Sequence, residues 1–362
     1  MEILIFIIVI VALIVVHEFG HFVAAKLSGM RVDEFGLGYP PRAAVIRKIG
    51  ETVYTLNWLP FGGFVKIYGE DGGEGSPRAF SARPRTLQAF VLVSGVAMNL
   101  LFAYVLIVGA LVSGTPRALS ADEIARAHST ELAVANVLPG SPAARAGLLP
   151  GDSIMSAKDA VGEWHAADPG SFTTFIAGSG GAPVELAVKR GADERVVTAT
   201  PTTNVVANNP SRYALGVEVA TIGVMPLSAL SALAQGAAFT WYATALTATG
   251  LMHFFYSIFT LQADLSQVTG PIGIAGAVGS ASAAGLGDLF SIMAIISINL
   301  AIINLIPIPA LDGGRLLFVL IEGVIRRPIK PNVARAVNAA GFAFLILLMF
   351  VVSVHDIFRI VG

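Results

Sequence analysis

Val16-His17-Glu18-Phe19-Gly20-His21 closes the first apolar run of the chain, where a membrane helix should carry nothing ionisable. On a helix, residues four apart stack on one face, so His17 and His21 can offer two imidazoles to a single metal ion with Glu18 beside them. The spacing is the His-Glu-x-x-His pattern of zinc hydrolases. Two histidines packed in a helix core would give the same letters. Against that bland reading, residues 3–16 are almost uninterruptedly apolar, and ionisable groups inside a bilayer are costly and usually functional.

Composition agrees with a membrane setting. Of the 362 residues 55% are hydrophobic and 13% charged, and mean hydropathy is +0.74, whereas soluble domains carry about 25% charged residues. A net charge of −1, with no basic stretch interleaved with aromatics, gives no reason to expect nucleic acid. The absence of cysteine excludes disulfides, iron–sulfur clusters and cysteine–zinc sites. Any zinc must be held by His, Asp or Glu. Met1-Glu2 lacks the basic start of a signal peptide, so residues 1–25 read as a retained first transmembrane helix.

The reading is a polytopic α-helical membrane protein with about four transmembrane helices, a membrane-associated β region and one α+β domain. Residues 26–85 carry nine Lys or Arg, which makes them cytoplasmic by the positive-inside rule and puts the N-terminus outside. Within them, 52–56 and 64–68 have the β-branched and aromatic content of strands, separated by Pro60 and Gly62-Gly63. A second transmembrane helix occupies 86–113. There Ser94 to Met98 offers small residues for close helix approach, and Asn99 needs a partner in lipid. Charged residues, Pro and Gly return over 115–225, enough chain for a domain with its own core.

Residues 219–263 contain no Asp, Glu, Lys or Arg, and 236–260 is long enough to cross. If it did, Arg315, Arg326, Arg327, Lys330 and Arg335 would lie outside, against the charge rule. Residues 226–288 therefore read as membrane-surface helices and a loop that includes 267–273. The third transmembrane helix, 289–314, ends in Asn304-Leu305-Ile306-Pro307-Ile308-Pro309-Ala310-Leu311-Asp312-Gly313-Gly314. Its two prolines break the helix at membrane depth, which is tolerated only where protein or a polar cavity satisfies the freed carbonyls. Residues 315–335 form a cytoplasmic segment, and 336–355 the fourth transmembrane helix.

This topology selects a third metal ligand. The first and third helices both run inward, bringing His17, His21 and Asp312 to the same cytoplasmic side. His253, Asp264, Asp288 and His355 fall at or beyond the opposite face.

At these residues the chain resembles the site-2 proteases, a family of intramembrane zinc metalloproteases. His17 to His21, Gly62 to Lys66, Gly95 to Asn99, Gly270 to Gly273 and Asn304 to Gly314 occur in the family's order. The run from Pro139 to Ile154 resembles a PDZ domain of the circularly permuted bacterial kind. The resemblance implies one zinc ion per chain on His17, His21 and Asp312, with Glu18 as the acid/base and Asn304 near bound substrate. It also implies a peptide-end groove at Leu215, Gly216 and Val217. By the same resemblance the protein is a multi-pass protein of the bacterial inner (plasma) membrane. Its active site lies toward the cytoplasm and its PDZ-like domain is periplasmic. Its partners are the lipid bilayer and transmembrane protein substrates already cut once by another protease, such as anti-sigma factors, or remnant signal peptides. The chain has room for one PDZ-like domain, not the two of some relatives.

A buried helix must be unwound before its carbonyls can be attacked. The strand at Phe64, Val65 and Lys66 is expected to pair with the unwound substrate. Asn99 and Asn304 both remain candidates for a hydrogen bond to the oxyanion, and Asn99 equally for a bond to a neighbouring helix. Two other classes stay open: a catalytically silent scaffold that uses the PDZ-like groove, which would not need Glu18, and a zinc transporter. Against the transporter, no internal repeat is visible.

Overall fold

The computed structural model describes residues 2–70, 76–124, 127, 130–165, 167–191, 193–205, 209–260, 269–327 and 329–361. In chain order the first elements are α1 (Glu2–Leu27), β1 (Val32–Ile49), β2 (Thr52–Ile67) and α2 (Arg85–Ser113). Then come β3 (Pro116–Ala118), α3 (Ala121–Ile124), β4 (Thr130–Val137), α4 (Pro142–Arg145), β5 (Ser153–Lys158), β6 (Glu163–Trp164) and α5 (Pro169–Gly178). β7 (Val184–Arg190), β8 (Asp193–Ala199) and β9 (Val217–Val224) complete the strands. The chain ends in helices α6 (Ala229–Phe259), α7 (Pro271–Ala284), α8 (Leu286–Leu305), α9 (Asp312–Ile325) and α10 (Pro331–Val361).

Among the described residues four helical segments are long and apolar enough to cross a bilayer: Ile3–Leu27, Arg85–Ser113, Leu286–Leu305 and Asn332–Phe358. The protein is a multi-pass membrane protein with a substantial β region. It divides into two compact units, Met1–Ser113 with Ser228–Gly362, and Gly114–Leu227.

In the first unit α1 is apolar from Ile3 to Val16 and ends just before Gly29, whose φ of +67° suits a glycine, as the Met30 amide closes back on Ala25 O at 2.9 Å. β2 is longer than the sequence suggested. The two strands expected at 52–56 and 64–68 are limbs of one element that bends near Gly62, φ +80°. β1, not foreseen as a strand, bends as well. Its 32–37 limb pairs with 53–56 on one side and with 63–67 on the other, and its 44–49 limb pairs with the far side of 52–56. Four limbs thus make a curled sheet in which 63–67 is an edge, with no further strand beside it among the described residues.

α2 is central to the helices. Val91 and Leu92 join a core with Ala24, Ala25, Met30 and Val32, while Ala103 and Leu106 pack with Ala294 and Ile298 of α8. The stretch expected as several surface helices is the single 31-residue helix α6. Its Gly236 lies against Val108, and Leu233 O accepts from the Tyr104 hydroxyl at 3.2 Å. Gln267, Val268 and the excluded ligand candidate Asp264 lie outside the described residues. The loop expected through Gly273 gives way at Pro271 to α7, whose first amides at Gly270 and Gly273 donate to the buried Asp356 carboxylate of α10 at 3.1 and 3.0 Å.

The second unit is a sheet of order β3-β9-β4-β5-β7-β8, with β6 paired to β5. Leu132, Val134, Ile154, Leu186 and Val188 project from it onto Phe172 and Ile176 of α5 and form its core. Ser141 caps α4 by accepting from Ala144 N at 3.2 Å, with Pro142 in the first turn.

Candidate metal centre

His17 and His21 lie one turn apart on α1, and Asp312 is the first residue of α9, so their convergence depends on how the chain turns between α8 and α9. α8 ends at Leu305, and residues 306–311 carry Pro307 and Pro309 through an irregular turn, with Ala310 at φ +76°. Gly313 and Gly314 sit so close beneath Ile306 O and Ile308 O that a Cβ on either would collide with them. The turn thereby aims Asp312 back toward α1. Asp312 Oδ2 stands 2.8 Å from His17 Nε2 and 3.0 Å from His21 Nε2, and the two nitrogens are 3.2 Å apart. Among the described residues this is the one group of three His, Asp or Glu placed to share an ion. His253, Asp288 and His355 do not join it.

Behind this cluster lies a second set of contacts. A histidine that ligates through Nε2 keeps its proton on Nδ1 and needs an acceptor there. His21 Nδ1 lies 2.7 Å from Val91 O of α2. His17 Nδ1 lies 3.3 Å from the Asn99 side-chain amide, whose oxygen and nitrogen exchange by a half-turn. With the nitrogen toward His17, Asn99 Oδ1 is buried without a partner. The reverse orientation supplies the acceptor that His17 requires. Two imidazole lone pairs and a carboxylate oxygen then meet at about 3 Å with no donor among them. A cation satisfies all three, and a His, His, Asp set with room for a further ligand fits catalytic zinc.

Gly95 makes the approach possible. A Cβ there would stand 2.5 Å from His21 Nε2 and 2.8 Å from His17 Cε1. Gly95 and Asn99 occupy one face of α2 at i, i+4, one opening space and the other filling it. Ser297 of α8 donates to Asn99 O at 2.8 Å, fixing that face against α8. The sequence singled out the Gly95–Asn99 spacing but not these contacts, because they exist only once α1 crosses α2.

Glu18 is turned toward the curled sheet, where its Oε2 accepts from Val65 N at 3.1 Å. That amide belongs to the open edge of the 63–67 limb. Phe64 is half-buried and stacks at 6.5 Å on Tyr39, and Lys66 is exposed. Asn304 is half-buried in the last turn of α8, outside hydrogen-bond contact with the His and Asp cluster. Asn99, by contrast, is fully buried. In the second unit, Leu215, Gly216 and Val217 line a cavity of about 320 Å³ together with Phe172, Ile176 and Arg212. Gly216 has φ +77°, and the Leu215 and Gly216 amides donate to nothing among the described residues.

A sequence profile described as peptidase family M50 matches residues 5–348. The chain is 36% identical over 347 residues to a Clostridium perfringens protein named "Putative zinc metalloprotease CPE1693", covering 96% of this chain and 95% of that one. It is 29% identical over 436 residues to the zinc metalloprotease RasP of Geobacillus kaustophilus, covering 97% of this chain and 96% of the relative. Identity is 28% over 438 residues to the regulator of sigma-W protease RasP of Bacillus subtilis, with 98% of each chain covered.

Proposed function

The chain belongs to peptidase family M50, the site-2 proteases, and is a zinc metalloendopeptidase; from that premise we propose that it cuts membrane proteins within or beside their transmembrane segments. Zinc is held by His17, His21 and Asp312, and Glu18 is the acid/base. The convergence of His17 Nε2, His21 Nε2 and Asp312 Oδ2 at 2.8 to 3.2 Å supports this reading most strongly.

Bound zinc supplies Lewis acidity at neutral pH. Glu18 takes a proton from the attacking water and returns it to the leaving amine, its carboxylate held in register by Val65 N–H. Asn99 acts from behind as the acceptor that orients His17. Asn304, with no partner for its amide among the described residues, contacts substrate. The 63–67 edge takes the unwound segment as an added strand, exchanging the helix's own hydrogen bonds for new ones. Edge pairing beside Glu18 brings the scissile carbonyl to the acid/base.

The basic residues of 26–85 and 315–335 face the cytoplasm, which puts this site on the cytoplasmic side of a bacterial inner membrane. The second unit is a periplasmic PDZ-like domain. Its β9 edge over 217–220, unpaired among the described residues where β3 covers only 222–224, and the Leu215 and Gly216 amides, which have no acceptor among those residues, suit an extended peptide ending in a carboxylate. Such a domain fits regulated proteolysis of a substrate that has already been cut once.

The test is cleavage of a model single-span protein by purified enzyme in detergent, with bound zinc measured in wild type and Glu18→Gln. Cleavage by wild type alone, with zinc retained in the variant, is the expected result. Equal cleavage by both proteins would remove Glu18 from the chemistry.

A further inference from the structure

Away from the metal centre, Arg85, Glu322, Gly323, Arg326 and Arg327 surround a cavity of about 260 Å³. Glu322 is its one carboxylate, and both oxygens are engaged. Oε2 pairs with Arg85 Nη2 at 2.8 Å and Oε1 accepts from Ile329 N at 2.8 Å. Arg85 is thereby neutralised and further held by Gln88 Oε1 at 2.8 Å. The side chains of Arg326 and Arg327 have no acceptor among the described residues, so the cavity carries a surplus of two positive charges. Arg326 caps α9 in the left-handed region at φ +58°, its amide donating to Glu322 O at 2.9 Å.

Two observations fix the kind of anion. Arg85 is the first residue of a membrane-spanning helix, so the cavity lies at headgroup depth. From it runs an outward apolar stripe on α9, with Leu317, Leu320, Val324 and Ile325 exposed at 39%, 55%, 85% and 59%, while Gly313, Gly314 and Val319 are buried on the other face. We propose that this cavity binds the phosphate of an anionic phospholipid, whose acyl chains lie along the α9 stripe. A zwitterionic lipid is disfavoured because its ammonium finds no free carboxylate here. Basic pockets at the cytoplasmic ends of membrane helices bind acidic headgroups by this chemistry.

Native mass spectrometry of the detergent-purified full chain tests the site with phosphatidylglycerol, phosphatidylcholine or inorganic phosphate as probe. One phosphatidylglycerol is retained where phosphatidylcholine is not, and Arg326→Gln with Arg327→Gln lowers that retention about tenfold or more. The double variant keeps its zinc and its cleavage activity, which separates loss of lipid from loss of fold. Arg47→Gln with Lys48→Gln, exposed bases on β1, serves as the charge control and leaves retention unchanged. Equal retention by the Arg326/Arg327 variant, an equal loss in the control, or displacement of the lipid by inorganic phosphate would each overturn the proposal.

Discussion

A neutral imidazole has one donor and one acceptor, and in both histidines of this site the Nδ1 side faces α2, toward Val91 O at 2.7 Å and the Asn99 amide at 3.3 Å. The Val91 carbonyl is backbone and is always an acceptor. The Asn99 oxygen can be removed by mutation. Asn99→Leu should lower zinc affinity about 10- to 100-fold in chelator competition, the usual effect of losing such a partner. Asn99→Asp, which keeps an acceptor, should stay close to wild type. Unchanged affinity in the leucine variant would end the positioning role. Gly95 gives a second residue-scale prediction in which two effects oppose each other. Alanine favours helix by about 1 kcal/mol over glycine, yet its Cβ would stand 2.5 Å from His21 Nε2. Gly95→Ala should therefore lose zinc and activity while the helical content measured by circular dichroism holds. Full zinc occupancy would show that the histidines can retreat.

At the scale of elements, the 63–67 limb of β2 is the open edge to which a strand can be added, and its Val65 N–H is where Glu18 is held. Val65→Pro removes that donor. Cleavage of a transmembrane substrate should fall more than tenfold with zinc retained, and cleavage of a short, already extended peptide should fall less. An equal fall on both substrates would leave Val65 with only the Glu18 contact, and loss of zinc would remove the edge-strand argument altogether. Both ends of this limb were legible in the sequence, because Phe64-Val65-Lys66-Ile67 has strand composition. Its neighbour β1 was not. Asp33, Glu34, Gly36, Gly38 and Pro40-Pro41 read as punctuation, and the limb is ordered by pairing on both sides instead of by its own alternation. α9 was missed for a related reason. Its start lies in a broken-helix motif and its basic residues read as a charged segment, although Leu316, Val319, Leu320 and Gly323 already have helical spacing. The convergence of His17, His21 and Asp312 was legible because one pair is local and the third residue follows from the charge rule. The roles of Gly95 and Asn99 follow from a helix crossing that no local pattern encodes.

At the scale of the whole molecule, the cluster of His17, His21 and Asp312 belongs wholly to one compact unit, and the buried ion pair of the other can be used to ask whether the two units are energetically separate. Asp152 is fully buried, and its carboxylate accepts from Arg190 Nε at 2.6 Å, Arg190 Nη2 at 2.8 Å and Leu149 N at 2.9 Å. The hydrogen bonds from Arg190 come first among the causes that hold this carboxyl below the usual carboxylate range, and burial opposes them. A group whose folded pKa is depressed contributes stability above its unfolded value, and that stability is lost as pH falls through the folded value. Hydrogen-exchange protection of β5 and β7 should therefore weaken progressively below about pH 4, the ordinary range for an unfolded aspartate. Asp152→Asn leaves Arg190 without its charge partner. Since Arg190 is partly exposed, the loss should fall below the roughly 3–5 kcal/mol of a fully buried pair. The variant should exchange faster at neutral pH and lose the acid dependence attributable to this group. Zinc content and Glu18-dependent cleavage of a short peptide should be unchanged, because His17, His21, Asp312 and the sheet edge rest on other cores. If zinc is lost along with protection in β5 and β7, the two units fold as one cooperative body, and the second unit contributes to holding the metal.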